Sequence, residues 1–141
     1  MTKTLTITQF FDSLDAPLKN PQWSWGAVRS DGVVFLRVWD IDVFTDDDGK
    51  QYAVLLSPGH HTSRHGAPER LQQLALVRAG APCYIVVITA VDNTASPRKI
   101  DHFDRHKLLV GGRIVERGDL TLIEIIGQTT PMTVRVKKER S

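Results

Sequence analysis

The chain has 141 residues, 41% hydrophobic and 24% charged, with a net charge of +2 and one cysteine. That length suits one domain with its own core, and the lone Cys83 excludes an intramolecular disulfide and any cysteine-based zinc finger. The longest apolar run, near residues 84–91, is too short to cross a bilayer. Residues 1–8 alternate polar with apolar instead of building a leader, so a cytoplasmic setting with no membrane partner is expected.

In chain order, residues 8–14 read as a short helix with Thr8 as N-cap and Phe10, Phe11 and Leu14 as its apolar stripe. Pro17 and Asn20-Pro21 end it. Residues 22–30 and 33–41 read as a β-hairpin turned by Asp31-Gly32, a dipeptide suited to the two positive φ angles of a type I′ turn. Asp46-Asp47-Asp48-Gly49 is a second turn, leading into a strand at 51–56, and residues 57–66 form a polar loop with three histidines. The strongest helix runs from 68 to 79, with Pro68 and Glu69 in its first turn and Gly80 just past its end. Leu71, Leu74, Ala75 and Val77 are its expected inward stripe, with Arg70, Gln72 and Gln73 outside.

Residues 83–91 are apolar on both faces and read as a central strand, in which Cys83 is core and not a nucleophile. Residues 98–105 are ambiguous. Strands follow at 108–116, at 120–126 after a turn at Arg117-Gly118-Asp119, and at 132–138; Gly111-Gly112 suggests a bulge and Pro131 an edge position. This pattern predicts an α+β fold over residues 1–141, with a strongly bent, partly closed, mostly antiparallel sheet, two helices and a frayed basic tail at 136–141. Such bent sheets cradle one base or one small ligand.

All three tryptophans, Trp23, Trp25 and Trp39, lie in the first hairpin beside Arg29 and Arg37. A two-residue turn would pair Trp25 with Val38, Ala27 with Leu36 and Arg29 with Val34, which together read as the core side. The other side would set Ser24 opposite Trp39 and Gly26 opposite Arg37, leaving room above two small residues. There Trp39 could stack on a base while Arg37 pairs its phosphate. The alternative is that Trp39 packs under a helix with Arg37 across its ring.

Charge is unevenly spread. Residues 1–97 carry 8 Lys/Arg and 10 Asp/Glu, residues 98–141 carry 10 and 6. The skew is compatible with a phosphate-facing side or with an ordinary solvated surface. Two His-x-x-x-His spacings, His61–His65 and His102–His106, could together suggest four metal nitrogens, but no Glu accompanies them as a metalloprotease helix requires. Loop histidines are the simpler reading. Neither Glu116 nor Glu124 has the following lysine of a restriction-type nuclease, and no nucleophile elbow, phosphate-binding loop or dinucleotide fingerprint is present. No catalytic residues, metal ligands or cofactor are expected.

Two blocks carry a resemblance: Trp23-Ser-Trp-Gly-Ala-Val with Val34-Phe-Leu-Arg-Val-Trp39, and Gly66-Ala-Pro-Glu-Arg-Leu71 running through Gly80 to Cys83. They resemble small sensing domains joined to HNH-type nucleases in modification-dependent restriction systems, similar in role to the PUA-like readers that flip a modified base into a bent β-barrel. The nuclease half has no counterpart here. The resemblance implies a stand-alone, non-catalytic nucleic-acid-binding domain on a PUA-like barrel, with DNA as partner and a modified or flipped base as target. The resemblance leaves open which residues do the sensing; on the hairpin and charge reading above, Arg37, Trp39, Ser24 and Gly26 would form the base site, and Arg64, Arg70, Arg98, Lys99 and the basic C-terminal strand would contact phosphates. A protein–protein adaptor or inhibitor in a defence or phage system, docking through helix 68–79 and the edge at 132–138, is the second expectation. A small metal-dependent nuclease or nucleotide hydrolase is the third.

Overall fold

The computed structural model describes residues 6–18, 25–56, 66–92, 94 and 100–134. The first helix, α1, spans Ile7–Ser13. Its N-cap is Thr6 and not Thr8: the Thr6 hydroxyl accepts from Gln9 N at 3.1 Å, and the Gln9 side chain accepts from Thr6 N at 3.0 Å. This reciprocal pair is a capping box, for which the spacing Thr6-x-x-Gln9 is the sequence signature. Phe10, Phe11 and Leu14 are buried as the periodicity requires.

Strands β1 (Gly26–Val28) and β2 (Val34–Trp39) form the first hairpin. A single 3-10 turn, Asp40–Asp42, leads to β3 (Val43–Thr45), and the Asp46–Gly49 turn connects it to β4 (Gln51–Leu56). Helix α2 spans Gly66–Arg78 and β5 spans Cys83–Ala90. The ambiguous stretch is β6 (Ile100–Phe103), followed by β7 (Leu108–Arg117) and β8 (Leu120–Thr129). The expected strand at 132–138 is corrected over its described part: Pro131–Val134 is a turn of helix, α3. Proline is favoured in a first helical turn, and Thr130 caps it by accepting from Thr133 N.

The architecture is α+β: the described residues form three helices, against the expected two, and one mixed sheet in the order β1-β2-β5-β7-β8-β4-β3, with β6 paired to β5. β2 and β5 run parallel and the other pairs antiparallel. The crossover between them carries α2, as a parallel connection requires. The sheet does not close into a barrel. It is nonetheless sharply curled, because one side chain of α2 reaches both β2 and β4, which three strands separate in the sheet order. A bulge contributes to the curl. The β7–β8 register shifts on both sides of Gly111, and a side chain at Gly111 or Gly112 would run into Ile123 or Ile126.

Both faces of the central strands are buried, as their unbroken apolar character implies. On one side Val34, Leu36, Val38, Cys83 and Ile85 pack with Leu74 and Val77 of α2 and with β4 and β8. On the other, Phe35, Val86, Ile88 and Leu108 pack with α1 and with Val134 of α3. α2 ends in a Schellman motif: Gly80, at φ 111°, donates to Val77 O, and Ala81 N donates to Leu76 O. Among the described residues, no helix is long and apolar enough to cross a membrane.

Cys83 is 2% exposed, and burial pushes its thiol up to about 12, the nearby Arg70 opposing this. A thiol with that value is protonated at pH 8, so native protein should show no reaction with a disulfide reagent there, while urea-unfolded protein shows one thiol. Between pH 9 and 12 the unfolded chain ionises this thiol and the folded chain does not. Stability should therefore fall with rising pH by up to about 1.4 kcal/mol per unit from this group. Cys83→Ala should remove that component; an identical slope in both proteins would contradict it.

Candidate functional site

The hairpin register decides what surrounds Arg37 and Trp39. The observed partners are Gly26 with Leu36, Ala27 with Phe35 and Val28 with Val34, one residue away from the two-residue-turn expectation. The cause is local. Arg29 N donates to Val33 O and Gly32 N to Arg29 O, and Gly32 carries the positive φ of 92° that closes a three-residue loop. The Asp31 carboxylate accepts from Val33 N at 3.2 Å and from Arg29 Nε at 3.0 Å, favouring this loop over the type I′ alternative. A one-residue slip changes every cross-strand neighbour. Trp25, whose carbonyl accepts from Arg37 N at 2.7 Å, therefore replaces Gly26 as the neighbour of Arg37.

Gly26 lies instead against α2. A methyl group there would strike the Phe35 carbonyl oxygen and approach Gln73 Oε1 to 3.0 Å. Its smallness serves close packing, so Gly26→Ala should cost about 1–3 kcal/mol in urea unfolding through forced separation of β1 and β2. A change below half a unit would show that the strands part easily.

Arg70 is also corrected. It was expected on the outer face of α2 but is 3% exposed, with Gln73 equally buried, while Leu71 is 50% exposed. The inward face is thus 70, 73, 74 and 77, the same helical spacing rotated by about one residue. Arg70 Nη1 donates to Leu55 O at 2.9 Å, and Nη2 donates to Trp25 O at 2.9 Å and Arg37 O at 2.6 Å. Its guanidinium also lies 5.4 Å from the Trp25 ring centroid. One side chain thus ties the end of β4 to β2 and to the entry of β1, across the gap that the unclosed sheet leaves.

At this gap a cavity of about 120 Å³ opens, lined by Trp25, Arg37, Val38, Trp39, Asp42, Val54, Arg70 and Ile88. Arg37 and Trp39 therefore share one cavity, with Trp25 as a second ring. Burial pulls Arg37 down to about 10, with Glu69 opposing, and burial and then the charge of Arg37 pull Arg70 down to about 10. Both stay protonated at neutral pH. The Nε atoms of both arginines are buried with no hydrogen-bond partner among the described residues. Asp40, next to Trp39, accepts from Thr89 Oγ1 at 3.3 Å.

Ser24, Arg64, Arg98 and Lys99 lie outside the described residues, as do His60, His61, His65 and the basic tail at 136–141. His102 and His106 are exposed, the former 2.7 Å from Asp101 through Nδ1. Among the described residues no group of three or more His, Cys, Asp or Glu is placed to hold a metal ion. A larger, mostly apolar groove of about 500 Å³ between α1 and β6 is lined by Ile7, Ile100 and Phe103 with His102 and Arg105, and includes neither Trp25 nor Trp39. Of the aromatic and charged residues lining the cavity, Trp25 and Asp42 are those that sequence reasoning missed. The Asp-Gly turn was compatible with two loop lengths, and only the longer one brings Trp25 to Arg37. Compared with known proteins, the chain matches no family model, no curated protein and no solved structure.

Proposed function

We propose that this chain is a non-catalytic nucleic-acid-binding domain in which Arg37, Trp39 and Trp25 form the ligand-facing wall, on a bent, partly closed sheet of the PUA-like kind. The observation that carries this reading is the convergence of two indole rings and two guanidinium groups on one small cavity. Aromatic faces that stack on bases, set beside cations that pair phosphates, are the recurring means of gripping single-stranded nucleic acid. The basic balance of residues 98–141 supports it, with Arg105 and Lys107 on the exposed surface, Arg113 and Arg117 exposed but paired with Glu124 and Asp46, and Arg98 and Lys99 as further phosphate contacts. DNA is the partner the sequence resemblance favours.

The test is fluorescence anisotropy with short single- and double-stranded DNA, unmodified and carrying 5-methylcytosine or 5-hydroxymethylcytosine, at two salt concentrations. About four phosphate contacts give a log–log salt slope of roughly −3 to −4. Trp39→Ala should remove base discrimination, lowering affinity by about five-fold to a hundred-fold at a stacking worth of about 1–3 kcal/mol, while the salt slope persists. No binding at low salt to any of these strands removes the reading.

A second reading, a protein–protein adaptor, draws on Leu71 and Leu76 of α2, which are 50% and 42% exposed. Capture of a defined partner that survives nuclease treatment and high salt, and is lost in Leu71→Glu, would favour it.

A further inference from the structure

We infer that the cavity at Arg37 and Arg70 is a site for a compact oxyanion, and that in a nucleic-acid ligand it takes a terminal phosphate monoester. This rests on the nucleic-acid reading for the identity of the ligand, but not for the chemistry of the site. Size is the first argument. About 120 Å³ is well below the ~300 Å³ at which small-molecule pockets begin. A phosphate group fits such a space, and a whole base with its sugar does not. The base belongs outside, against the indole rings.

The second argument is unspent hydrogen-bonding capacity. Arg70 has committed both terminal nitrogens to carbonyl oxygens, yet its Nε is buried without a partner among the described residues, and so is Nε of Arg37. Guanidinium groups carry five donors and no acceptor, so only an acceptor can satisfy them. Buried donors left unsatisfied are costly, and an oxyanion is the acceptor that binds them most strongly.

The third argument is access. Arg37 and Arg70 lie close enough to repel each other, with Asp42 on the same wall and Glu69 offsetting their charge. A terminal monoester can present three oxygens to such a site, whereas an internal diester presents two and must bring chain in on both sides. Steric access in a cavity this small therefore selects an end.

Two measurements test the inference. The first is the thermal midpoint of the intact protein in 10 mM inorganic phosphate against sodium chloride of equal ionic strength. A rise of about 3 °C or more is expected, since a ligand that binds only the folded state stabilises it. Arg37→Gln should abolish the rise; no rise in the unaltered protein overturns the inference whether or not the variant folds. The second is anisotropy with a ten-nucleotide single strand bearing a 5′-phosphate, a 3′-phosphate or hydroxyls at both ends. One phosphorylated end should bind at least ten-fold more tightly, and inorganic phosphate should erase the difference. Strands that bind equally whatever their ends, with no thermal response to phosphate, overturn the oxyanion site and leave the nucleic-acid reading standing. A phosphate-dependent rise with no strand bound upholds the oxyanion site and overturns the nucleic-acid reading.

Discussion

Arg70→Met should destabilise the protein by about 3–5 kcal/mol, a large share of the ~5–15 kcal/mol available to a domain. The side chain it replaces makes three hydrogen bonds to the carbonyls of Leu55, Trp25 and Arg37. Bonds of this charge-assisted kind contribute about 1.5–3 kcal/mol each, and a buried carbonyl stripped of its donor loses about 1–3 kcal/mol. An opposing effect has to be set against these. Burial and the neighbouring Arg37 bring the Arg70 guanidinium down to about 10 from its ordinary 12.5, a cost of roughly 3 kcal/mol that methionine does not carry. The three bonds outweigh it. Methionine matches the aliphatic stem but offers no donor, so the carbonyls of β2 and β4 are left facing one another across the gap. Arg70→Lys should recover about 1 kcal/mol at most, because a single ammonium cannot span acceptors on separate strands as the planar fork does. Urea unfolding of the three proteins decides it. A loss below about 1 kcal/mol for Arg70→Met would mean that water satisfies those carbonyls and the gap has no staple.

That arginine also shows where sequence reasoning stops. In α2 the apolar residues Leu71, Leu74, Ala75 and Val77 make a plausible inward stripe, and hydropathy prefers it to a face containing Arg70 and Gln73. The polar face goes inward because the sheet fails to close and leaves backbone carbonyls in need of donors. No periodicity encodes that need, since it arises from strands far apart in sequence. Elements whose cause is local were legible. The strand at Gln51–Leu56, the Asp46–Gly49 turn, the central strand from Cys83 and the bulge at Gly111-Gly112 all stand where side-chain alternation and glycine placement put them. The first hairpin lies between these cases. Its strands and turn were readable, but its register depended on whether Asp31 took a left-handed angle or used its carboxylate to hold Val33 N. The structure takes the second course. For the cavity, Arg37 and Trp39 could be paired from the sequence alone, whereas Trp25 and Arg70 required the register and the curl.

The second large effect is expected at Arg29, which does for the helices what Arg70 does for the strands. It is 6% exposed, and its Nη1 donates to Val134 O at 2.6 Å and to Leu14 O at 3.3 Å, while Nε pairs with Asp31 at 3.0 Å. Leu14 is the C-cap of α1 and Val134 the last described residue of α3, positions where helix carbonyls lack a partner within the helix. The guanidinium also lies 5.3 Å from the Phe35 ring centroid, so the contact reaches the sheet that both helices cover. Arg29→Met should cost about 2–4 kcal/mol, with most of the loss from two stripped carbonyls and the cation–π contact. Asp31→Asn should cost far less, under about 1 kcal/mol, because that carboxylate is 46% exposed and its pairing is screened by solvent. The Arg29 hydrogen bond holds the Asp31 carboxyl below its ordinary value, so the contribution of the pair is present above about pH 4 and lost as pH falls through the lowered pKa. Hydrogen exchange separates this staple from the other. In Arg29→Met, amides of α1 and α3 should exchange faster while β5 and β8 stay protected, because those helices lose a tie the sheet does not need. In Arg70→Met, protection should fall first in β4 and the β1–β2 hairpin. If both variants loosen the same amides to the same degree, the two arginines support one cooperative unit and the division of labour between helices and sheet gap is wrong.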